Sequence, residues 1–570
     1  MLMNNKSIMI KISLICLVAN VASAVGTMSY KQGERMTYVQ GEAIYFNQMQ
    51  NSHEEVLHYT VRPGLPEGLK LNVKNGNISG TPMRKSGRMR YVVKAVAQGG
   101  GQYELPVSIQ VLGATDVNVN AEKVLRDGVK PGFASSVICW LTDGRSRQDI
   151  RPAMQQLRPG TLRFPYGHLS DNYLWHDLSE GDPHEGLKPR VATSQHYPAN
   201  WKFAMKEDGS FQQAMDFDEY MELAQELEIK PMVVVNLLSY KLPGGPSLEY
   251  LKKSAVAWVK YAKEKGYDVA YWQLGNEIDH HQKQITKDEF VHAYGEIAGA
   301  MKAYDPSIQV GPGLLANVSY NAAVLEEHEA LVDFLSVHQY LFKFDLSTYE
   351  KWRDFDKSLI PNIKRLAYYN DRHGKRPILV TETNAYGGGD LLLGGGRNNV
   401  LKGLCWFEML LSQALVSHVE YSYYWGSSDP WRMDRGGISD ASTYALLKRD
   451  ASLTLRGEVS ARVNEALHST MVETKSPMKE LRTFASVDRQ SGAVSVFLLN
   501  KSEQEVQVEV TLDGLALPAK GYQKVIKAPK PSAMEAVYDQ LELKQHESGG
   551  YQVTVPGLSA NILQLSHFSE

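Results

Sequence analysis

YWQLGNEID, Tyr271 to Asp279, is the stretch from which the fold is read. Val269, Ala270, Tyr271, Trp272 and Leu274 make a β-prone, mostly apolar run. Gly275 ends it, and Asn276, Glu277 and Asp279 follow where a strand gives way to a loop. In a parallel α/β barrel, the carboxyl ends of the strands are where chemistry sits. Alone, the stretch also reads as an ordinary β-to-α loop with a helix-capping Asn or Asp. A second stretch, RPILVTETNAYGGG, Arg376 to Gly389, weighs against that reading. Its Pro377 to Val380 is a short buried strand that ends in another polar cluster, Thr381, Glu382, Thr383 and Asn384. Two Glu at the ends of non-adjacent parallel strands can point into one cleft. Glycoside hydrolysis needs such a pair, one carboxyl group kept protonated as acid and one ionised as nucleophile or base. Each half alone is a weak signal; the two at barrel spacing are a fairly specific one.

Outward from this pair, strands and helices alternate between about residues 130 and 465. Strands are expected near Ser135–Leu141, Thr161–Phe164, Pro231–Leu237, Val269–Gly275, Ile308–Val310, Phe334–His338, Pro377–Glu382 and Val419–Trp425. The helices between them are legible. Phe217, Tyr220, Met221, Ala224 and Leu227 fall at helical spacing behind Asp216, with Glu219 placed as in a capping box. Thr286 and Glu289 open another helix, and Ser247 opens a third that Gly266 closes. Eight alternating pairs are the signature of a (β/α)₈ barrel. On that count Glu277 ends strand four and Glu382 ends strand seven.

On these residues the chain resembles a clan of retaining glycoside hydrolases whose barrels carry the acid/base Glu after Asn on strand four and the nucleophile Glu on strand seven. Within the clan it is most similar to the α-L-arabinofuranosidase-type families, over about residues 115 to 568. LRFPYGHLSDNYLWHD, Leu162 to Asp177, resembles their segment after strand two. FDEYMELAQELEIKPMVVVN, Phe217 to Asn236, resembles their next helix and strand three, and VPGLSANILQL, Val555 to Leu565, the last strand of their β-sandwich. Tyr166 departs from the pattern, standing where the family usually has Gly, and a phenol there would reshape the sugar-binding floor. The resemblance implies a polysaccharide or oligosaccharide substrate of plant or algal origin and a double-displacement mechanism. Agarase- or porphyranase-type, β-xylosidase-type and β-glucuronidase-type hydrolysis stay open, as does a catalytically inactive, carbohydrate-binding surface protein.

Individual residues carry two readings each. Asn276 suits a hydrogen bond to a sugar 2-hydroxyl, or a backbone cap. Arg163 suits an ion pair that keeps the nucleophile ionised, or a structural pair. His338 and Tyr340 end strand six near the expected nucleophile; a satisfied core histidine is the alternative. Trp425, at the end of strand eight, could stack on a sugar face. Asn236, Trp175, Asp171 and Arg432 are weaker cleft candidates. Glu277 is expected to hold a raised pKa as acid, and Glu382 to stay ionised. His280 and His281 look like a metal pair, but adjacent residues point apart on a regular element, so they read as solvated loop. Gly387–Gly389 and Gly394–Gly396 read as the rim of the cleft, since no phosphate-binding motif fits them. No cofactor or metal-ligand spacing is present.

The flanks are of another kind. The length suggests roughly three or four domains. Residues 1–24 read as a signal peptide: Lys6 and Lys11, an apolar run from Ile12 to Val21, then Ala22-Ser23-Ala24 as cleavage site. The run is too short for a lasting membrane span, so export to the periplasm or medium is expected. Residues 27–112 are short alternating runs cut by Gly, Pro and Asn turns. Leu65-Pro66-Glu67-Gly68-Leu69 and Gly76-Asn77-Ile78-Ser79-Gly80-Thr81-Pro82 resemble the immunoglobulin-like, cadherin-like modules of bacterial secreted enzymes. Residues 469–570 return to β patterning, and the resemblance makes them a β-sandwich to which 115–121 add a strand. Charge is nearly balanced, 61 basic against 64 acidic residues, which gives no sign of a nucleic-acid partner. Cys139 and Cys405 each fall in an apolar element and read as buried thiols.

Overall fold

A computed structural model describes residues 27–52, 55–138, 149–193, 215–341, 346–385, 399–428, 445–516, 518, 520–545 and 550–566. The expected signal peptide, Cys139, the two glycine runs after Asn384 and Arg432 lie outside these residues. The chain divides into two units, 1–114 and 115–570.

The first unit is all β. A four-stranded sheet joins Arg35–Val39, Gln102–Leu112, Ser86–Ala97 and Val56–Arg62; a three-stranded sheet joins Ile44–Asn47, Ile78–Gly80 and Leu69–Leu71. Tyr38, Tyr59, Ile78, Tyr91, Val93 and Ile109 fill the space between. The two glycines of the motif have a physical cause. Gly68 and Gly80 both have positive φ, 90° and 119°, and each passes so close to the other's segment that a Cβ would strike backbone.

In the second unit eight parallel strands form one sheet: β1 Ala134–Val137, β2 Thr161–Phe164, β3 Lys230–Val235, β4 Tyr271–Leu274, β5 Val310–Pro312, β6 Leu335–Tyr340, β7 Ile378–Asn384 and β8 Val419–Tyr424. Their order is β5-β4-β3-β2-β1-β8-β7-β6, and every pairing is parallel. Each strand is followed by a helix: α1 Arg151–Leu157, α2 Phe217–Glu226, α3 Leu248–Glu264, α4 Lys287–Tyr304, α5 Val318–His328, α6 Pro361–Asn370, α7 Val400–Ala414 and α8 Leu455–Ala466. This is a (β/α)₈ barrel whose one open seam, between β5 and β6, is stitched by other bonds. Ser336 Oγ accepts from the Leu314 amide at 2.9 Å and donates to Pro312 O at 2.5 Å, and the His338 amide donates to Leu315 O at 2.6 Å. Helix starts follow the caps the sequence carries. Asp216 accepts from the Glu219 amide, Ser247 from the Tyr250 amide, and Thr286 with Glu289 forms a reciprocal capping box.

Nine strands make the unit's other large sheet, which Asp116–Arg126 joins between Thr470–Lys475 and Val506–Asp513. A twisted sheet of this width curls. Its inner face encloses a second core with Val117, Val119, Val496, Val510, Val553 and Leu563. The outer face continues the barrel core. Along Val494–Asn500 every residue is buried; Val494, Val496 and Leu498 face the sheet's own core, while Phe497 and Leu499 belong to the barrel's.

Candidate active site

The carboxyl ends of β2, β4, β6 and β7 bring six of the residues named from the sequence into one hydrogen-bonded cluster. Arg163, at the end of β2, is fully buried. Its Nη1 donates to Glu382 Oε1 at 2.9 Å and its Nη2 to Asn276 Oδ1 at 2.6 Å. The Tyr340 hydroxyl, from β6, donates to the other oxygen, Glu382 Oε2, at 2.8 Å. Glu382 therefore sits between a cation and a neutral donor, both fixed by strands. His338 lies between the carboxylates: its Nδ1 is 2.7 Å from Glu277 Oε1 and 3.4 Å from Glu382 Oε2. One oxygen of each carboxylate and one nitrogen of His338 lie within 4.8 Å of one another.

Glu277 is held in the left-handed region, φ 48°, a conformation that costs a non-glycine residue energy and is found where the surroundings enforce it. Here the loop is anchored by Asp279, whose carboxylate accepts the Leu315, Ala316 and Asn317 amides at 2.6, 3.0 and 2.7 Å. The turn after β4 is thereby tied to the one after β5, and Glu277 is aimed across the barrel mouth.

The electrostatics of Glu277 correct the expectation of a raised pKa. Burial does push this carboxyl up, but two imidazoles outweigh it and hold it well below the usual carboxylate range. One is His338; the other is His168, whose Nε2 lies 2.6 Å from Glu277 Oε2. His168 was not among the candidates read from the sequence. It lies five residues beyond Arg163, directly after Gly167, and opens a 3₁₀ turn, His168–Asn172. Its place next to a glycine at a strand end was the available signal. Gly167 is itself constrained, since a Cβ there would meet Glu382 Oε1 and the Trp425 ring, each at 2.6 Å.

The other candidates fall elsewhere or play other parts. Trp425 is half-buried beside the cluster, its ring 4.2 Å from that of Tyr166. Tyr166 is buried, so it backs Trp425 and does not line an exposed floor. Trp175 does not reach the cluster: it stacks on Trp258 at 5.6 Å and donates Nε1 to Ser254 O. Asn236 uses its amide on the Tyr173 carbonyl and its oxygen on the Ser239 amide, so it shapes the turn after β3. Asp171 is buried behind the cluster, and burial pushes it up to about 8 against the pull of His168 and Arg163. His281 departs from the solvated-loop reading. The 3₁₀ turn Ile278–His280 swings it inward, where it is buried edge-on to His168 at 5.3 Å, while His280 stays exposed.

Comparisons with known proteins bear on the fold and the kind of protein. Residues 21–112 match the family model described as "Putative Ig domain". Alpha-L-arabinofuranosidase C of Emericella nidulans is 26% identical over 225 residues, 34% of this chain and 40% of that protein. An intracellular exo-alpha-(1->5)-L-arabinofuranosidase of Acetivibrio thermocellus is 24% identical over 214 residues, 34% of this chain and 39% of its own length. The chain thus spans about 40% of the curated relatives it matches. Among solved structures, the alpha-L-arabinofuranosidase of Thermotoga maritima in its arabinose complex superposes with a TM-score of 0.58 at 15% identity, covering 79% of this chain and 100% of that one. CelM2, a bifunctional glucanase-xylanase from a metagenome library, gives 0.55 at 12% identity over 80% and 99%. In fold, and in sequence over a third of its length, the chain is similar to the arabinofuranosidases and to glycoside hydrolases that share their barrel, with an immunoglobulin-like domain ahead of it.

Proposed function

We propose that the protein is an exported glycoside hydrolase that cleaves plant or algal polysaccharide in the manner of an arabinofuranosidase, by double displacement with retention. The observation that carries this reading is the close approach of Glu277 and Glu382, with oxygens within 4.8 Å of each other. Retention calls for carboxyl groups about 5–5.5 Å apart, inversion for about 6.5–9.5 Å to admit a water. Glu382 attacks the anomeric carbon while Glu277 gives a proton to the leaving oxygen; Glu277 then takes a proton from the water that releases the sugar. Arg163 and Tyr340 orient the nucleophile. Asn276 spends its oxygen on Arg163, and nothing among the described residues accepts from its Nδ2. That leaves a donor for a sugar hydroxyl. Trp425 offers a partly open ring face to the sugar.

The test is a pair of variants assayed on aryl α-L-arabinofuranosides. Glu382→Ala should abolish turnover, with azide restoring it through an inverted product. Glu277→Ala should keep activity on leaving groups that need no proton, and azide should then give a retained product. Identical behaviour of the two variants, or inversion in the first-formed sugar by proton NMR, overturns the assignment. Export rests on the Ala22-Ser23-Ala24 site, and N-terminal sequencing of secreted protein should begin at about Val25. A sequence that still starts at Met1 overturns that part alone.

A further inference from the structure

We propose that His168 is the proton partner of the acid/base: its Nε2 holds the proton that Glu277 passes to the leaving oxygen, and takes one back when Glu277 activates water. The inference rests on the reading of Glu277 as acid/base. His168 acts through Glu277 and is a positioning residue in this sense.

Geometry carries the argument. Both oxygens of Glu277 are occupied, Oε1 by His338 Nδ1 at 2.7 Å and Oε2 by His168 Nε2 at 2.6 Å. The two rings are not equivalent. His338 is fully buried, and its second nitrogen is 3.0 Å from Thr381 Oγ1. Both of its ring nitrogens are thus engaged inside the cluster, one against the carboxylates and one against the hydroxyl. The His168 side chain is 40% exposed and that of Glu277 only 10%. His168 is thus the solvent-facing member of the pair, and Glu277 lies behind it. A leaving group that approaches Glu277 Oε2 from the exposed side of the pair meets this ring first.

The charges around His168 favour one proton on the pair. Glu277 and Glu382 face it from β4 and β7, and Arg163 lies behind them. Asp171 lies three residues on in the same 3₁₀ turn, where side chains i and i+3 eclipse. The His280 and His281 rings lie at 6.2 and 5.3 Å. Burial opposes a charge on His168, yet Glu277, with Glu382 and Asp171, pushes it up to about 9. In the resting enzyme the pair is imidazolium and carboxylate. With substrate bound, the proton moves from His168 Nε2 to Glu277 Oε2 and on to the leaving oxygen as its bond to the anomeric carbon breaks and the Glu382 ester forms. His168 is left neutral. In the second half Glu277 takes a proton from water as its oxygen displaces Glu382, and returns it to His168, which restores the starting charges.

The experiment compares wild type, His168→Gln, His168→Asn and Glu277→Gln on 2,4-dinitrophenyl and phenyl α-L-arabinofuranosides across pH. For both His168 variants the basic limb of kcat/KM should move at least one pH unit toward acid. At pH 8 the loss on the phenyl substrate should exceed that on the dinitrophenyl substrate at least tenfold. An unmoved limb with equal losses on both substrates overturns the proposal, since a structural role predicts that. Histidine-selective NMR of wild type and Glu277→Gln decides the matter if the His168 variants do not fold. One imidazole should lose its proton only above pH 8 in wild type and at least one unit lower in Glu277→Gln; no such resonance overturns the proposal. If Glu277→Gln keeps full activity on the phenyl substrate, the acid/base reading itself falls, a distinct outcome.

Discussion

Asp171 is less exposed than either Glu277 or Glu382, and burial outweighs the Asn276 backbone hydrogen bond and the nearby cations that favour its charge. Its charge is therefore what the folded chain resists. The folded carboxyl keeps its proton to about pH 8, whereas the unfolded one releases it near 3.8. Between those values the folded state binds more protons, so stability falls as pH rises, by at most about 1.4 kcal/mol per unit. The contribution is complete below 3.8 and gone above 8. Asp171→Asn mimics the protonated form and removes the titration. Its stability relative to wild type, from urea unfolding, should therefore rise from pH 5 to pH 8; a constant difference would sink this. At the same scale the site was unevenly legible. Arg163, His338, Tyr340 and Glu382 could be named because each lies in the last residues of a strand, where alternation and barrel geometry fix the direction of a side chain, and Asn276 and Glu277 because they follow directly on one. His168 lies in a short turn, where no periodicity fixes direction. Trp175 was misplaced because an aromatic count cannot separate a sugar platform from a ring stacked in the core.

At the scale of elements, the eight barrel strands were legible to within a few residues because parallel strands buried on both faces read as apolar runs closed by polar residues. The seam between β5 and β6 was not legible, since it depends on the Ser336 side chain and on single backbone bonds rather than on a pattern. Nor was the ion cluster where α7 meets the nine-stranded sheet. Glu408 on α7 accepts from Arg482 at 3.1 Å and Lys501 at 3.3 Å. The Lys501 amine sits 4.7 Å from the centre of the Trp352 ring. Burial pulls the Lys501 pKa down, and Glu408 restores part of it. A buried pair gives little net stability, but breaking it strands a charge. Lys501→Met alone should cost about 3 kcal/mol of unfolding free energy, read from urea denaturation. Adding Glu408→Leu should recover most of that, because Arg482 is partly exposed and can turn to solvent. A double variant no better than the single one would show that packing, not charge, holds this contact.

At the scale of the whole chain, the decisive question is where the catalytic unit begins. The immunoglobulin-like segment has its own core, and that core shares no residue with those of the barrel or the nine-stranded sheet. A domain that owns its core folds without its neighbours. A chain starting at Thr115 should then remain soluble, with kcat/KM on a small aryl glycoside within about twofold of the full chain. A chain starting only slightly later, at Val129, should behave oppositely. It lacks Asp116–Arg126, an interior strand of the sheet, paired antiparallel with Thr470–Lys475 and parallel with Val506–Asp513. Without it the two strands beyond, Val506–Asp513 and Tyr551–Val555, lose their attachment to the rest of the ladder. Val117 and Val119, both fully buried, are lost with it, at roughly 1.5–3 kcal/mol each. Arg126, whose guanidinium donates to Ala414 O and Val419 O beside the barrel, goes as well. Set against a typical stability of about 5–15 kcal/mol, those losses are enough to unfold the unit. The shorter chain should therefore appear in inclusion bodies, or melt well below the Thr115 chain. If both truncations behaved alike, the boundary would be misplaced. If the Thr115 chain alone aggregated, the N-terminal module would be part of the catalytic unit.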